Sequence, residues 1–244
     1  MMASKAPAST VVGMAILLTL PGLAWSDNGK TYRVTITNLT AGQPFSPPVL
    51  VTHTDKARIF AVGETSSDAI RAIAENGNNE PLLVALHNNV EVHDVIAGSA
   101  PLVPANNPGG TGFDSMATYE IKAGGKARYL SIANMLICTN DGFTGLDSVS
   151  LPSVKTTLYS VAYDARSEAN TEDFADIVPP CQGLIGVGSE DGTGMSNPLL
   201  AEEGIVIPHV GILGGVDLVQ DVHAWSDPVA RIEIERVHGG ENDD

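Results

Sequence analysis

Six histidines, two cysteines and 29 aspartates and glutamates are the side chains in this 244-residue sequence with the means for acid–base, redox or metal chemistry. The histidines, at positions 53, 87, 93, 209, 223 and 238, are scattered, with no His-Glu-x-x-His or comparable zinc spacing. His53 reads as a structural polar residue. No Gly-x-Ser-x-Gly nucleophile elbow occurs. Gly186-Val-Gly-Ser-Glu-Asp-Gly192 has one residue too many for the dinucleotide fingerprint and lacks a strand-to-helix setting, so it reads as a flexible loop. A Ser–His–Asp site assembled from distant loops stays open. Three acidic groups, Glu172-Asp173 with Asp176, Glu190-Asp191, and Asp217 with Asp221, read as solvated surface. None matches the twelve-position calcium loop with Gly at six and Glu at twelve.

The compartment decides what such residues can do. Met1 to Ser26 combines one positive charge at Lys5, an apolar run centred on Val11 to Leu20, Pro21-Gly22, and small residues at Ala24 and Ser26. These are the parts of a secretory signal peptide. Pro7 and Pro21-Gly22 shorten the apolar helix below the roughly 20 residues a membrane span needs. Residues 1–26 are therefore expected to be cleaved, and no later segment is apolar enough to make a transmembrane span of the mature chain. Loss of Lys5 leaves 12 basic against 29 acidic residues and takes the formal charge from −16 to −17. That field repels nucleic acid and anionic lipid, and attracts cations. In an oxidising compartment the even cysteine count predicts a Cys138–Cys181 bridge, with two buried free thiols as the alternative. Closing a loop of about 40 residues would stabilise by about 3–4 kcal/mol in the chain-entropy treatment.

Hydrophobic content of 43% supports a sizeable core, and with aromatics at 5% that core must be aliphatic. Strands are expected at Tyr32–Thr40, Pro48–His53, Arg58–Val62, Ala117–Lys122, Ala127–Ile137, Thr156–Tyr163 and Val229–Val237. In the last, Ala230, Ile232 and Ile234 make an apolar face opposite Arg231, Glu233 and Glu235, as in an antiparallel sheet with one face to solvent. A helix is expected over Ala69–Ala74, capped by Ser66 or Ser67 and stopped by Gly77, with a weaker one at Asn197–Glu203. Long loops are expected at Asn106–Gly112 and Gly183–Gly194, and Glu241–Asp244 reads as a frayed tail. Strong alternation at both ends argues for one closed domain over residues 27–240. Asn38-Leu39-Thr40 fits the glycosylation acceptor pattern but lies on a strand.

Several segments in order resemble the spondin N-terminal domain family, known from extracellular matrix proteins and secreted bacterial proteins. They are Tyr32-Arg-Val-Thr-Ile with Phe45-Ser46-Pro47 and Thr52-His53, then Ala69 to Gly77, and Leu130 to Asp147. Ala162-Tyr-Asp-Ala-Arg-Ser-Glu168 and Ala230 to Val237 complete the set. The resemblance implies an all-β, C2-like antiparallel β-sandwich with one or two short helices and one Ca2+ between loops at an end. By motif its ligands fall on Asp141, Asp164 and Glu168. Gly142 and Tyr163 stand where the motifs have Trp, and Glu168 where the family has Asp.

Residue spacing adds a condition. On a regular strand Asp164 and Glu168 would be about 13 Å apart, too far to share an ion. The strand must end near Asp164, with Ala165–Glu168 curling to bring i and i+4 within about 6 Å. A Cys138–Cys181 bridge would then tie the loop after Tyr163 to the strand end carrying Asp141. The resulting expectation is an extracytoplasmic calcium-binding module for an extracellular or cell-surface ligand. A secreted hydrolase with a loop-borne site is the alternative.

Overall fold

The computed structural model describes residues 29–187, 192 and 196–237. The leader, Glu190-Asp191, His238 and the C-terminal tail lie outside the described residues. Two antiparallel sheets face each other, as the sequence predicts for a sandwich. The first has four strands in the order β4 (Met116–Ala123), β1 (Lys30–Asn38), β10 (Ala230–Val237) and β7 (Lys155–Ser160). The second has six, in the order β3 (Val92–Ala97), β2 (Val49–His53), β5 (Tyr129–Met135), β6 (Gly142–Ser150), β8 (Ala162–Asp164) and β9 (Ile207–Pro208). β1 and β10 pair with Val34 opposite Ile234 and Ile36 opposite Ile232. This register puts Tyr32, Val34, Ile36, Ala230, Ile232 and Ile234 on the inner face, while Arg33 and Glu120 make an exposed ion pair outside.

The central strands of the six-stranded sheet, β2 and β5, are buried on both faces. Leu50, Leu130 and Ile132 pack against Val34, Ile36, Ile232 and Ile234 of the first sheet. Val49, Val51, Ala133 and Met135 face the other way, into a second core under helix α1 (Asp68–Asn76) and the 174–185 segment. A strand buried on both sides reads as a continuous apolar run, which is why β2 and β5 lack alternation. Helix α1 is capped at Ser67, whose hydroxyl accepts from Ile70 N, and its stripe of Ile70, Ile73 and Ala74 is fully buried. Three shorter helices, α2 (Glu80–His87), α3 (Pro180–Ile185) and α4 (Gln220–His223), complete this layer.

Several expectations are corrected. Arg58–Val62 forms no strand: Ile59, Phe60 and Ala61 are all buried, so the apolar run is a crossing segment plugged into the core, with no ladder partner. The Thr156–Tyr163 run is two strands, β7 and β8, in different sheets. Asn197–Glu203 is not helical; its backbone pairs with the 166–169 segment through Glu202 N to Ser167 O and Ala169 N to Leu200 O. Residues 183–185 belong to α3 and not to a loop. Asn38 is buried, with Nδ2 donating to Gln43 O and Leu102 O, so its side chain is committed internally.

Cys138 and Cys181 form the expected disulfide, spanning 43 positions with Cα atoms 5.1 Å apart. Both are fully buried. Gln43, also fully buried, brackets Cys138 by donating from Nε2 to its carbonyl and accepting its N–H, and donates again to His223 O. Replacing both cysteines by Ala is expected to lower the unfolding free energy by about 3–4 kcal/mol, read from denaturant midpoints. Unchanged stability, or two thiols alkylated in the unreduced protein, would contradict the bridge.

Candidate metal centre

The centre is built at the connection between β5 and β6. Leu136 N donates to Gly142 O, Thr139 Oγ1 donates to Leu136 O, and Gly142 N donates back to Thr139 Oγ1. The turn is so tight that a Cβ at position 142 would sit 2.5 Å from Thr139 Oγ1. A side chain at 142 would have to displace the Thr139 hydroxyl. Asp141 ends this turn. Register places Gly142 opposite Asp164, the last residue of β8, so the two aspartates stand side by side at the strand ends.

Beyond Asp164 the strand stops, as the spacing requires. Arg166 N donates to Asp164 Oδ1 at 2.7 Å, and Arg166 takes a left-handed φ of 53°. The chain then wraps the Asp141 carboxylate: Ser167 N and Glu168 N donate to its Oδ2 at 2.7 and 2.9 Å, and Ser167 Oγ at 3.3 Å. The other oxygen, Asp141 Oδ1, is buried with no hydrogen-bond partner. Asp164 Oδ2 accepts from Asn170 Nδ2, and Glu168 Oε1 accepts from Asn197 N at 2.7 Å.

The three acids are therefore neighbours along one fold of backbone, but their side chains are not equivalent. Asp141 and Asp164 form the close pair. Glu168 turns toward Asn197 and lines a groove with Asp68, Arg71 and Glu75. Among the described residues, no group of three or more His, Cys, Asp or Glu side chains converges as a ready metal site. The donor set still fits a hard cation in its chemistry: all oxygen, buried, and including one orphaned carboxylate oxygen.

Burial pushes the Asp141 carboxyl up to about 7, and the charge of Asp164 adds to the rise, against the pull of the Ser167 and Glu168 N–H groups. Burial also raises Glu168 to about 7; Asn197 N–H opposes this, while Glu75, Asp141 and Asp176 reinforce it. A cluster of carboxylates that must either hold protons or meet a cation is what such shifts describe.

Residues around the three acids lie outside the motifs that marked those acids. Asn170 follows Glu168 by two residues, and Asn197 reaches the centre from elsewhere in the chain. His209 follows β9, whose Ile207 pairs with Asp164. Its Nδ1 accepts from Gly211 N, leaving the proton on Nε2, which is buried without a partner. Burial lowers its pKa, with the Asp164, Glu172 and Asp227 charges opposing. Glu172, expected on a solvated surface, is buried: its carboxylate accepts from Leu213 N and Gly214 N because the 213–218 loop closes over it. Asp217, in the same expectation, accepts from Phe174 N. His53 is structural as expected, bonded to Thr54 O and Ser131 Oγ.

No curated protein matches the chain in sequence. A family model does: Spondin_N matches residues 24–164, more than half of the chain. The match spans β1 to the end of β8 and contains Asp141 and Asp164; Glu168 lies just past it. The matched segment carries eight of the ten described strands, and the chain belongs to the spondin N-terminal domain family.

Proposed function

We propose that this spondin-type domain is exported and acts as a calcium-stabilised binding module, engaging a ligand at a cell surface or in extracellular matrix. One observation carries the ion: a buried Asp141 oxygen without a hydrogen-bond partner, next to the charge of Asp164. Asp141, Asp164 and Glu168 would hold it, Glu168 by giving up the Asn197 N–H. Bound calcium would supply the positive charge these carboxylates lack. The chain itself already fixes Asp141 through two backbone N–H groups and Asp164 through Arg166 N and Asn170. Export is supported by the leader, by the disulfide, which suits an oxidising compartment, and by the family. No helix among the described residues is long and apolar enough to cross a membrane. A binding role fits the family.

Three outcomes are expected. An ion that binds only the folded state adds about 2.7 kcal/mol at a hundredfold excess over Kd. For a domain of this size that is roughly 5–10 °C in the unfolding midpoint. A midpoint unchanged between chelator and excess calcium would defeat the reading. By calorimetry, Asp164→Asn is expected to weaken calcium binding at least tenfold, and Asp217→Asn, whose carboxylate serves Phe174 N, to leave it nearly unchanged; equal effects would put the ion elsewhere.

The third outcome is a pH dependence. Asp141 and Glu168 have folded-state pKa values of about 7, above their unfolded values. Folding therefore takes up protons between pH ~4 and ~7, and without calcium the stability these groups contribute falls across that window. Calcium competes with those protons, so its midpoint gain is expected to be larger at pH 8 than at pH 5. Equal gains would contradict the assignment.

A further inference from the structure

The segment from Ile205 to Val219 is apolar, glycine-rich and held firmly, yet part of it faces outward. Its anchors point in: Ile212 and Leu218 are buried in the core under α1. The Glu172 carboxylate fixes Leu213 N and Gly214 N, and the Glu172 carbonyl accepts from Asp217 N and Leu218 N. Gln220 Nε2 donates to Ile212 O and Leu213 O. Between these anchors Leu213, Val216 and Val219 are 70, 58 and 46% exposed. All three line one groove of about 430 Å3, with Asp221 at its edge. Large apolar side chains on a backbone held by hydrogen bonds to Glu172 and Gln220 lose little entropy on association, which is what a contact surface requires.

Charge selects the occupant. The one charged residue lining the groove is the exposed Asp221, and no Lys or Arg lines it. A second copy, at −16, would bring like charge, and an anionic bilayer would be repelled for the same reason. We infer that the Leu213–Val216–Val219 groove docks a polypeptide segment that presents an aliphatic or aromatic side chain beside Lys or Arg, the apolar side chain entering the groove and the cation facing Asp221. The inference deepens the binding-module reading and does not depend on the calcium ion.

The test uses the purified protein and a synthetic peptide of alternating Leu and Lys, against Leu/Glu and Ser/Lys peptides of equal length. The Leu/Lys peptide is expected to bind, to slow hydrogen exchange at residues 212–220, and to bind more weakly as salt rises. The Ser/Lys and Leu/Glu peptides are expected to bind at least tenfold more weakly. Leu213→Ser with Val216→Ser is expected to weaken Leu/Lys binding at least tenfold, and Asp221→Asn about threefold with a shallower salt dependence. Both variants should keep the wild-type unfolding midpoint and its calcium response. Absent Leu/Lys binding, or binding equal in wild type and double variant, overturns the groove. So does tighter binding to phosphatidylserine vesicles, or a dimer in sedimentation that the double variant abolishes. Because the calcium response is measured on the same samples, a failed groove and a failed ion site give different patterns.

Discussion

A carboxylate at the centre of this molecule is satisfied on one side only. Asp141 Oδ2 gathers the N–H groups of Ser167 and Glu168, and its Oδ1 meets nothing. The satisfied side helps set the path of the chain after β8, together with Arg166 N on Asp164 Oδ1 and the pairing of the Arg166 and Ser167 carbonyls with Gly204 N and Glu202 N. The unsatisfied side sets the electrostatic problem. Leaving a buried carboxylate ionised and unpaired costs several kcal/mol, so it either keeps a proton or takes a cation. The same contact thus links the architecture of the sandwich end to the chemistry available there.

The surrounding structure holds that contact in place from two directions. The disulfide lies three residues before Asp141 and fastens the β5 end to α3, while Gln43 locks the backbone of Cys138 on its other side. From the far side, Glu202 N and Gly204 N pair with the carbonyls of Ser167 and Arg166. The central strands of the six-stranded sheet, β2 and β5, are covered on both faces, so the β5–β6 turn stands on a strand that cannot shift without disturbing two cores. Apolar burial gives the platform and hydrogen bonds give the aim.

Much of this was legible in the residues. Alternation in β1, β4 and β10 marked strands with one wet face, and Ser67, the Ile70–Ile73–Ala74 stripe and Gly77 marked α1 almost to the residue. Asp164 and Glu168 could share an ion only if the chain turned after Asp164, and the chain turns there. What was hidden has physical reasons. Leu82-Leu83-Val84-Ala85-Leu86 is too short and too uniformly apolar for periodicity to separate helix from strand, so α2 was missed. Ile59-Phe60-Ala61 looks like a strand because a segment plugged into a core and a strand buried on both faces have the same composition. Glu172 looks like any surface acid until the 213–218 loop closes over it, a contact more than 40 residues distant. The turn of Glu168 toward Asn197 was hidden likewise.

The excess of acid has two sides in this molecule: a buried group whose charges oppose one another, and a net negative charge whose sign chooses what can approach. The first is the central claim. Its most direct test is a crystal structure grown with calcium, with the ion identified by its anomalous scattering. The account predicts an ion coordinated by Asp141 Oδ1, with Asp164 in the same coordination sphere. Calcium present in the crystal but bound elsewhere, with Asp141 Oδ1 still facing only protein, would contradict it.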